Sequence, residues 1–378
     1  MAGPDVSGGD KVLIDRDGLQ SLIDALIGDG YRVIGPRVAD GAVVLEPVSA
    51  VDDLPAGWRD EQDGGRYRLV DGGGDGVFEF GPGPQAWKRY LYPPTERLWR
   101  ARRRGKGFAV EDDAAEVPRY AFLGVRACDV HALAIHDEVF DGGRGTDPGY
   151  LARRREAFVI AVNCTRAGGT CFCVSMGTGP KVEAGFDLAL TELAEQDRHA
   201  FLVEVGSDRG AEVLARIDVA AAGDGDVSAA ETAVARTAET MGREMVPDVA
   251  ALLGRNLEHP QWNKVAERCL TCGNCTMVCP TCFCSTVEDV TDLTGDTAER
   301  WRKWDSCFTV EFSYIHGGSI RREGAARYRQ WMTHKLSSWH QQFGSSGCVG
   351  CGRCITWCPV AIDITEEART IRDSEGGA

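Results

Sequence analysis

Apolar residues recur at helical spacing early in the chain. Leu19, Leu22, Ile23, Leu26 and Ile27 in LQSLIDALI share one face and predict a helix that Gly28 and Gly30 end. Strand-like YRVIG and AVVLEPV follow, which indicates an α/β opening. From 60 to 83 the sequence is rich in Gly and Asp, and short strand candidates, RYRLV and VFEF, alternate with turns. Further on, YAFLGV (120–125) reads as a strand, RACD as a turn, and DVHALAIHDEVF as an amphipathic helix with Asp129 as its expected N-cap. AFVIAV (157–162) is a buried, near-continuous apolar strand ending at Asn163 and Cys164. FLVEV (201–205) with RGAEVLARI adds a strand and a helix, and the Ala-rich stretch 221–260 fits helices.

The chain has 378 residues, enough for roughly two to three domains, and it carries a formal charge of −15, which argues against a nucleic-acid partner. The basic run at Arg102, Arg103, Arg104 and Lys106 reads as a solvated face or a docking surface for an acidic partner. No apolar run is long enough to span a bilayer. The N-terminus lacks the basic start and apolar core of a secretory signal, so a cytoplasmic location is expected. In a reducing compartment the fifteen cysteines read as metal ligands, reactive thiols or buried apolar residues in preference to disulfides.

Two stretches sharpen that reading. Cys269, Cys272, Cys275 and Cys279, then Pro280, form C-x2-C-x2-C-x3-C-P, and Cys348, Cys351, Cys354, Cys358 and Pro359 repeat the spacing. Three closely spaced thiolates can face one iron–sulfide cube, while the fourth cysteine of each run serves the other cluster in two-cluster ferredoxins. Two 4Fe-4S clusters are therefore expected, one on Cys269, Cys272, Cys275 and Cys358, the other on Cys348, Cys351, Cys354 and Cys279. Gly273 and Gly352 occupy matching places and let the backbone curl around each cluster. Zinc, the competing occupant, usually takes two C-x2-C pairs separated in sequence, and these runs do not have that form. The spacer between the runs, residues 280–347, is longer than in ordinary two-cluster ferredoxins. Its aromatic, periodic segments WRKWDSCFTVEFSYIHGG and RREGAARYRQWMTHKLSSWHQQF predict helices packed over the clusters, limiting solvent access.

A third constellation lies upstream. If the strands at 120–125 and 157–162 are parallel neighbours in a right-handed βαβ unit, Cys128 and Cys164 fall at carboxyl ends on one sheet edge, where ligands usually sit. The glycine-rich TRAGGTCFCVSMGTGP then delivers Cys171 and Cys173, giving four thiolates for a third 4Fe-4S cluster. Cys282, Cys284 and Cys307 are left over, and read either as buried hydrophobes or as a three-cysteine site completed by another residue. His131, His136, His316, His334 and His340 are expected to be surface or hydrogen-bonded side chains.

No dinucleotide fingerprint, phosphate loop, Ser-His-Asp order, carboxylate dyad or H-E-x-x-H occurs, so no catalytic residue and no flavin or nicotinamide site is nominated. The expected fold is an α/β N-terminal region over 1–110 and an α/β domain with the third cluster over 111–262. A two-cluster ferredoxin domain of α+β type follows over 263–378, with an expanded helical insert at 285–347.

Taken as a set, GVRACDVHAL, NCTRAGGTCFC, CLTCGNCTMVCPTCFC, WDSCF and CVGCGRCITWCPVAIDI resemble the beta subunit of cytoplasmic NADP-linked nickel–iron hydrogenases, the sulfhydrogenases, over about 115–365. The electron-transfer subunit of anaerobic sulfite reductases is similar. Ala127 stands where that family's proline is expected after GVR. The resemblance implies a non-catalytic electron-transfer subunit. Its partners would be a subunit with FAD and a 2Fe-2S cluster that meets NAD(P)H, and the small and large subunits of a nickel–iron hydrogenase. The corresponding subunit of a sulfite reductase or of a heterodisulfide-reductase-linked flavin oxidoreductase is the alternative, and a zinc-stabilised scaffold is the reading from another class.

Overall fold

In the computed structural model, which describes residues 8–111, 117–142, 145–195 and 198–375, the first helix runs Arg16–Gly28. The Asp15 carboxylate caps it, accepting from the Gly18 N–H at 2.8 Å. Leu19, Leu22, Ile23 and Leu26 are fully buried, whereas Ile27, at the far edge of the apolar arc, is 42% exposed. The helix packs on an eight-stranded mixed sheet whose order is Ala220–Ala221, Lys11–Ile14, Arg198–Val205, Leu188–Glu195, Phe158–Val162, Tyr120–Arg126, Arg32–Ala39 and Ala42–Pro47.

The strands Leu188–Glu195, Phe158–Val162, Tyr120–Arg126 and Arg32–Ala39 run parallel side by side, and the outer pairings are antiparallel. Every residue of Phe158–Val162 is buried, as befits a parallel strand covered on both faces. The expected parallel pairing is present, with Ala121 opposite Phe158 and Arg126 opposite Val162. Strands from both sides of residue 110 share this sheet, so the boundary expected there does not coincide with a break in it.

Two local expectations need correction. The helix after Tyr120–Arg126 spans Ala127–Asp141 and starts directly at the strand end, so Asp129 lies inside its first turn and does not cap it. Its carboxylate instead accepts from both terminal nitrogens of Arg353 at 2.8 Å, with both side chains buried. VFEF (77–80) is not a strand; the Val77 and Phe78 N–H groups donate to the buried Glu192 carboxylate at 2.7 and 2.9 Å, which replaces sheet pairing for that segment.

The insert is helical only in its second half. Strands Ser285–Thr291 and Thr297–Trp304 form a hairpin that joins Thr95–Arg104 and Gly107–Glu111 in a four-stranded antiparallel sheet. The two strands pair residue for residue from Ser285 opposite Trp304 to Thr291 opposite Ala298, and Gly295 supplies a left-handed φ of +70° at the turn, which closes this stretch as a hairpin. On this sheet Arg102 pairs with Glu111 and Arg103 with Asp296, both at 3.1 Å. The second half forms helix Gly324–Thr333, a π-helical turn His334–Ser338 and helix Trp339–Phe343. Among the described residues no helix is long and apolar enough to cross a membrane.

Candidate metal centres

Each ferredoxin run folds the same way. Gly273, at φ +75°, and Gly352, at φ +74°, turn the chain into the short helices Asn274–Met277 and Arg353–Thr356. A side chain at Gly273 would be strained by that φ and would put its Cβ 2.8 Å from the Ser306 hydroxyl. The runs are laced together, with the Asn274 side-chain amide donating to the Trp357 carbonyl.

Cys269, Cys272, Cys275 and Cys358, together with Cys354, line one apolar cavity of about 30 Å³, whose wall also carries Phe308, Tyr328 and Trp331. The Cys269 sulfur accepts from the Thr271 N–H at 3.4 Å, and the Cys358 sulfur from the Ile362 N–H at 3.3 Å. Such N–H···S bonds stabilise thiolates and tune cluster potential. Burial drives the Cys275 thiol well above its usual range, with Cys269, Cys358 and Cys272 adding to the effect. The indole N–H of Trp331 and the hydroxyl of Tyr328 are buried without a partner, leaving donors free on the wall of this cavity.

Cys354 is likewise driven well up by burial, and then by the charges of Cys348, Cys351 and Cys279 close by. The second crosswise set is therefore gathered too. Burial raises Cys348 to about 12, while Cys279 is held well below the thiol range by a hydrogen bond from Cys282 and by Lys335 and Lys88. Lys335 is only 5% exposed; its ammonium donates to the Thr281 hydroxyl at 2.6 Å and the Gly347 carbonyl at 3.0 Å. Burial opposes its charge, but Cys279, Cys282 and Cys348 hold it well above the usual ammonium range.

His136 is not at the surface: it is fully buried beside the Thr281 backbone, with which it hydrogen-bonds, and burial takes it down to about 3. Its neighbours include Lys88, Cys279 and Lys335.

The third set also converges. Cys128 sits in the first turn of Ala127–Asp141, Cys164 lies just past Phe158–Val162, and the loop after it carries Cys171 and Cys173. Burial raises the Cys173 thiol to about 12, helped by Cys164 and Cys351, and Cys171 well above its range, helped by Cys173, Cys164 and Cys351. Cys128 is raised by burial, then by Asp129, Cys351 and Cys173. Ala127 is the first helical residue, a position that accepts proline or alanine alike, so the departure noted there leaves Cys128 in place.

This loop is seated on the second ferredoxin run. The Phe172 N–H donates to the Gly350 carbonyl at 2.8 Å, the Thr178 hydroxyl to the Val349 carbonyl at 2.7 Å, and the Cys171 thiol lies 3.9 Å from the Cys351 carbonyl. Gly350, at φ +63°, admits the contact, since a Cβ there would come 2.6 Å from the Cys173 backbone. Arg353 and Asp129 clamp the same junction.

Sequence reasoning nominates all twelve of these cysteines but misses the buried Lys88, Lys335, Arg353 and His136. Lysine and arginine ordinarily read as surface, and nothing in their local pattern marks burial.

Two family profiles, each described as a 4Fe-4S dicluster domain, match residues 268–362 and 230–283. Sulfhydrogenase 2 subunit beta from Pyrococcus furiosus is 32% identical over 262 residues, which cover 68% of this chain and 75% of the relative. The chain belongs to the sulfhydrogenase beta-subunit family. Like that family it is an iron–sulfur electron-transfer protein, with its dicluster domain in the C-terminal third. No solved structure matches it.

The donor sets fit iron–sulfur clusters. Each is made of cysteine thiols, none in a disulfide, and among the described residues no group of three or more His, Cys, Asp or Glu is drawn tightly enough to hold a single metal ion. A tetrahedral zinc site needs sulfurs about 3.8 Å apart around Zn–S bonds of about 2.3 Å, whereas a cube takes them wider.

Proposed function

We propose that this sulfhydrogenase-type beta subunit relays single electrons between an FAD- and 2Fe-2S-bearing subunit that meets NAD(P)H and the small and large subunits of a nickel–iron hydrogenase. Cys269, Cys272, Cys275 and Cys358 would hold one 4Fe-4S cluster, Cys348, Cys351, Cys354 and Cys279 a second, and Cys128, Cys164, Cys171 and Cys173 a third. Bound there, the clusters supply reversible one-electron chemistry. The chain's own part is to gather the thiols, exclude water with aromatic cover, and set the electrostatics with buried cations.

The observation that carries this reading is the contiguity of the three sets. The third abuts Cys351 of the second run, and Cys354 of that run lies beside Cys275 of the first. A relay needs short steps between sites, and each set has a neighbour in contact with it. The test is anaerobic purification from the native host with iron and sulfide counting. Co-purification with a flavoprotein and hydrogenase subunits, with at least about twelve irons on this chain, is the expected result. A chain isolated with zinc and no sulfide would overturn it.

Two variants resolve the assignments. Cys128→Ala with Cys164→Ala should remove about four irons and leave the ferredoxin pair intact; unchanged iron content would sink the third site. Cys279→Ala tests the crossing. It should perturb the cluster spectrum shared with a Cys348→Ala variant and spare that lost in Cys272→Ala. The reverse pattern would place all four ligands of each cluster within one run.

A further inference from the structure

The structure assigns a further iron–sulfur site to Cys282, Cys284 and Cys307, three cysteines gathered around one cavity outside the twelve already discussed. Cys282 and Cys284 leave the first ferredoxin run just after Pro280, and Cys307 arrives from the loop that follows Thr297–Trp304. The Asp305 N–H donates to the Cys284 carbonyl at 2.9 Å, which ties the two segments together. All three residues line a cavity of about 320 Å³, with His334, Trp331 and Trp339 also on its wall. The space is larger than a few waters require and is mostly apolar-walled, unlike a solvent cleft.

Four independent features point to an anionic, sulfur-rich occupant. First, two buried ammonium groups stand beside these cysteines. Lys88 is 3% exposed and donates to the Cys282 carbonyl at 2.8 Å, and Lys335 lines the cavity itself. Lys335 also bonds the Cys279 side chain, but the hydrogen bond of Lys88 goes to a neutral carbonyl oxygen, whereas buried cations ordinarily pair with negative charge. Second, the indole N–H of Trp339, which lines this cavity, has no partner although the side chain is only 2% exposed; sulfides of a cluster would accept from it. Third, the wall that carries His334 and Lys335 is the π-helical turn His334–Ser338, and such turns recur at functional sites. Fourth, the site adjoins the first ferredoxin run, since Cys282 follows Cys279 by three residues and Trp331 lines both this cavity and that of Cys269, Cys272 and Cys275.

Three thiolates leave one iron of a cube facing the cavity. Of the lining side chains, His334 offers a ring nitrogen for that position, Nδ1, its Nε2 lying 3.2 Å from the Gln342 side-chain oxygen, while Lys335 and Arg321 are cations. The site therefore holds a cluster on Cys282, Cys284 and Cys307 with His334 as the fourth ligand.

The test uses the full chain, purified anaerobically with its partners. Cys284→Ser with Cys307→Ser should lower iron by about four per chain and remove one set of paramagnetic signals. Signals that disappear in Cys348→Ala should persist in it. His334→Ala should leave the iron within about one of wild type but change that same signal, as expected for loss of one ligand or conversion to a three-iron form. Alkylation with iodoacetamide followed by mass spectrometry covers the event that the double variant does not fold. In native wild-type protein Cys282, Cys284 and Cys307 should resist labelling until the iron is chelated. Labelling of these three before chelation, or unchanged iron in the double variant, overturns the site. Loss of the ferredoxin signals themselves would instead count against the reading on which the relay rests.

Discussion

Arg353→Leu is expected to destabilise the protein by about 3–5 kcal/mol, because it strands the Asp129 carboxylate in a dry junction. Arg353 is 2% exposed and Asp129 3%, and the guanidinium reaches the carboxylate with two bonds of 2.8 Å and the Gly83 carbonyl with a third of 3.0 Å. The same pair links the second ferredoxin run to the helix that presents Cys128. Arg353→Lys keeps the charge but loses the fork, so only part of the stability should return. Replacing both partners, Asp129→Leu with Arg353→Met, should lose much less than Arg353→Leu alone, since no unpaired charge remains. Anaerobic denaturant titration measures the difference. A loss below about 1 kcal/mol for Arg353→Leu would mean that the junction is held by other contacts.

Lys335→Met is expected to lower the midpoint potential of the cluster served by Cys279 and Cys348 by on the order of 100 mV. The sign follows from charge. Reduction adds an electron to a site already ringed by thiolates, and the buried ammonium favours that more negative state; removing it favours the oxidised one. At an effective dielectric of about 20 a unit charge roughly 6 Å away contributes about 3 kcal/mol, which sets the size of the shift. Methionine matches the length of the side chain, so packing against Trp339 is kept. A redox titration followed by electron paramagnetic resonance reads each cluster separately. The cluster of Cys269, Cys272, Cys275 and Cys358 should move less. Equal shifts, or none, would remove Lys335 from the electrostatic account.

The ferredoxin runs are plain in the chain because their chemistry is local. Four thiols at fixed spacing, a glycine that takes positive φ and a proline that sends the chain away need no knowledge of distant residues, and Gly273 and Gly352 sit in the conformation that spacing asks for. Strand-to-helix order around Cys128 and Cys164 is legible for a related reason: apolar runs of this length, with a helix between, make parallel neighbours. The N-cap expected at Asp129 does not form because an aspartate before an apolar stretch has the same local signature whether it caps a helix or waits for an arginine 224 positions away.

The helical expectation for the insert fails in its first half because aromatic richness carries no period of its own. Strand Thr297–Trp304, whose apolar residues Ala298, Trp301 and Trp304 lie three apart, instead finds an open edge on Thr95–Arg104, a partner far back in the chain. What the residues alone establish is the pair of C-x2-C-x2-C-x3-C-P runs and the family they mark, since residue type and spacing are covalent facts. The placement of the third set against Cys351, the clamp at Arg353, the buried lysines and the cavity at Cys282, Cys284 and Cys307 come only with the folded chain. Burial, not sequence neighbourhood, sets which charges face the thiols, and burial is a property of packing between segments that lie far apart along the chain.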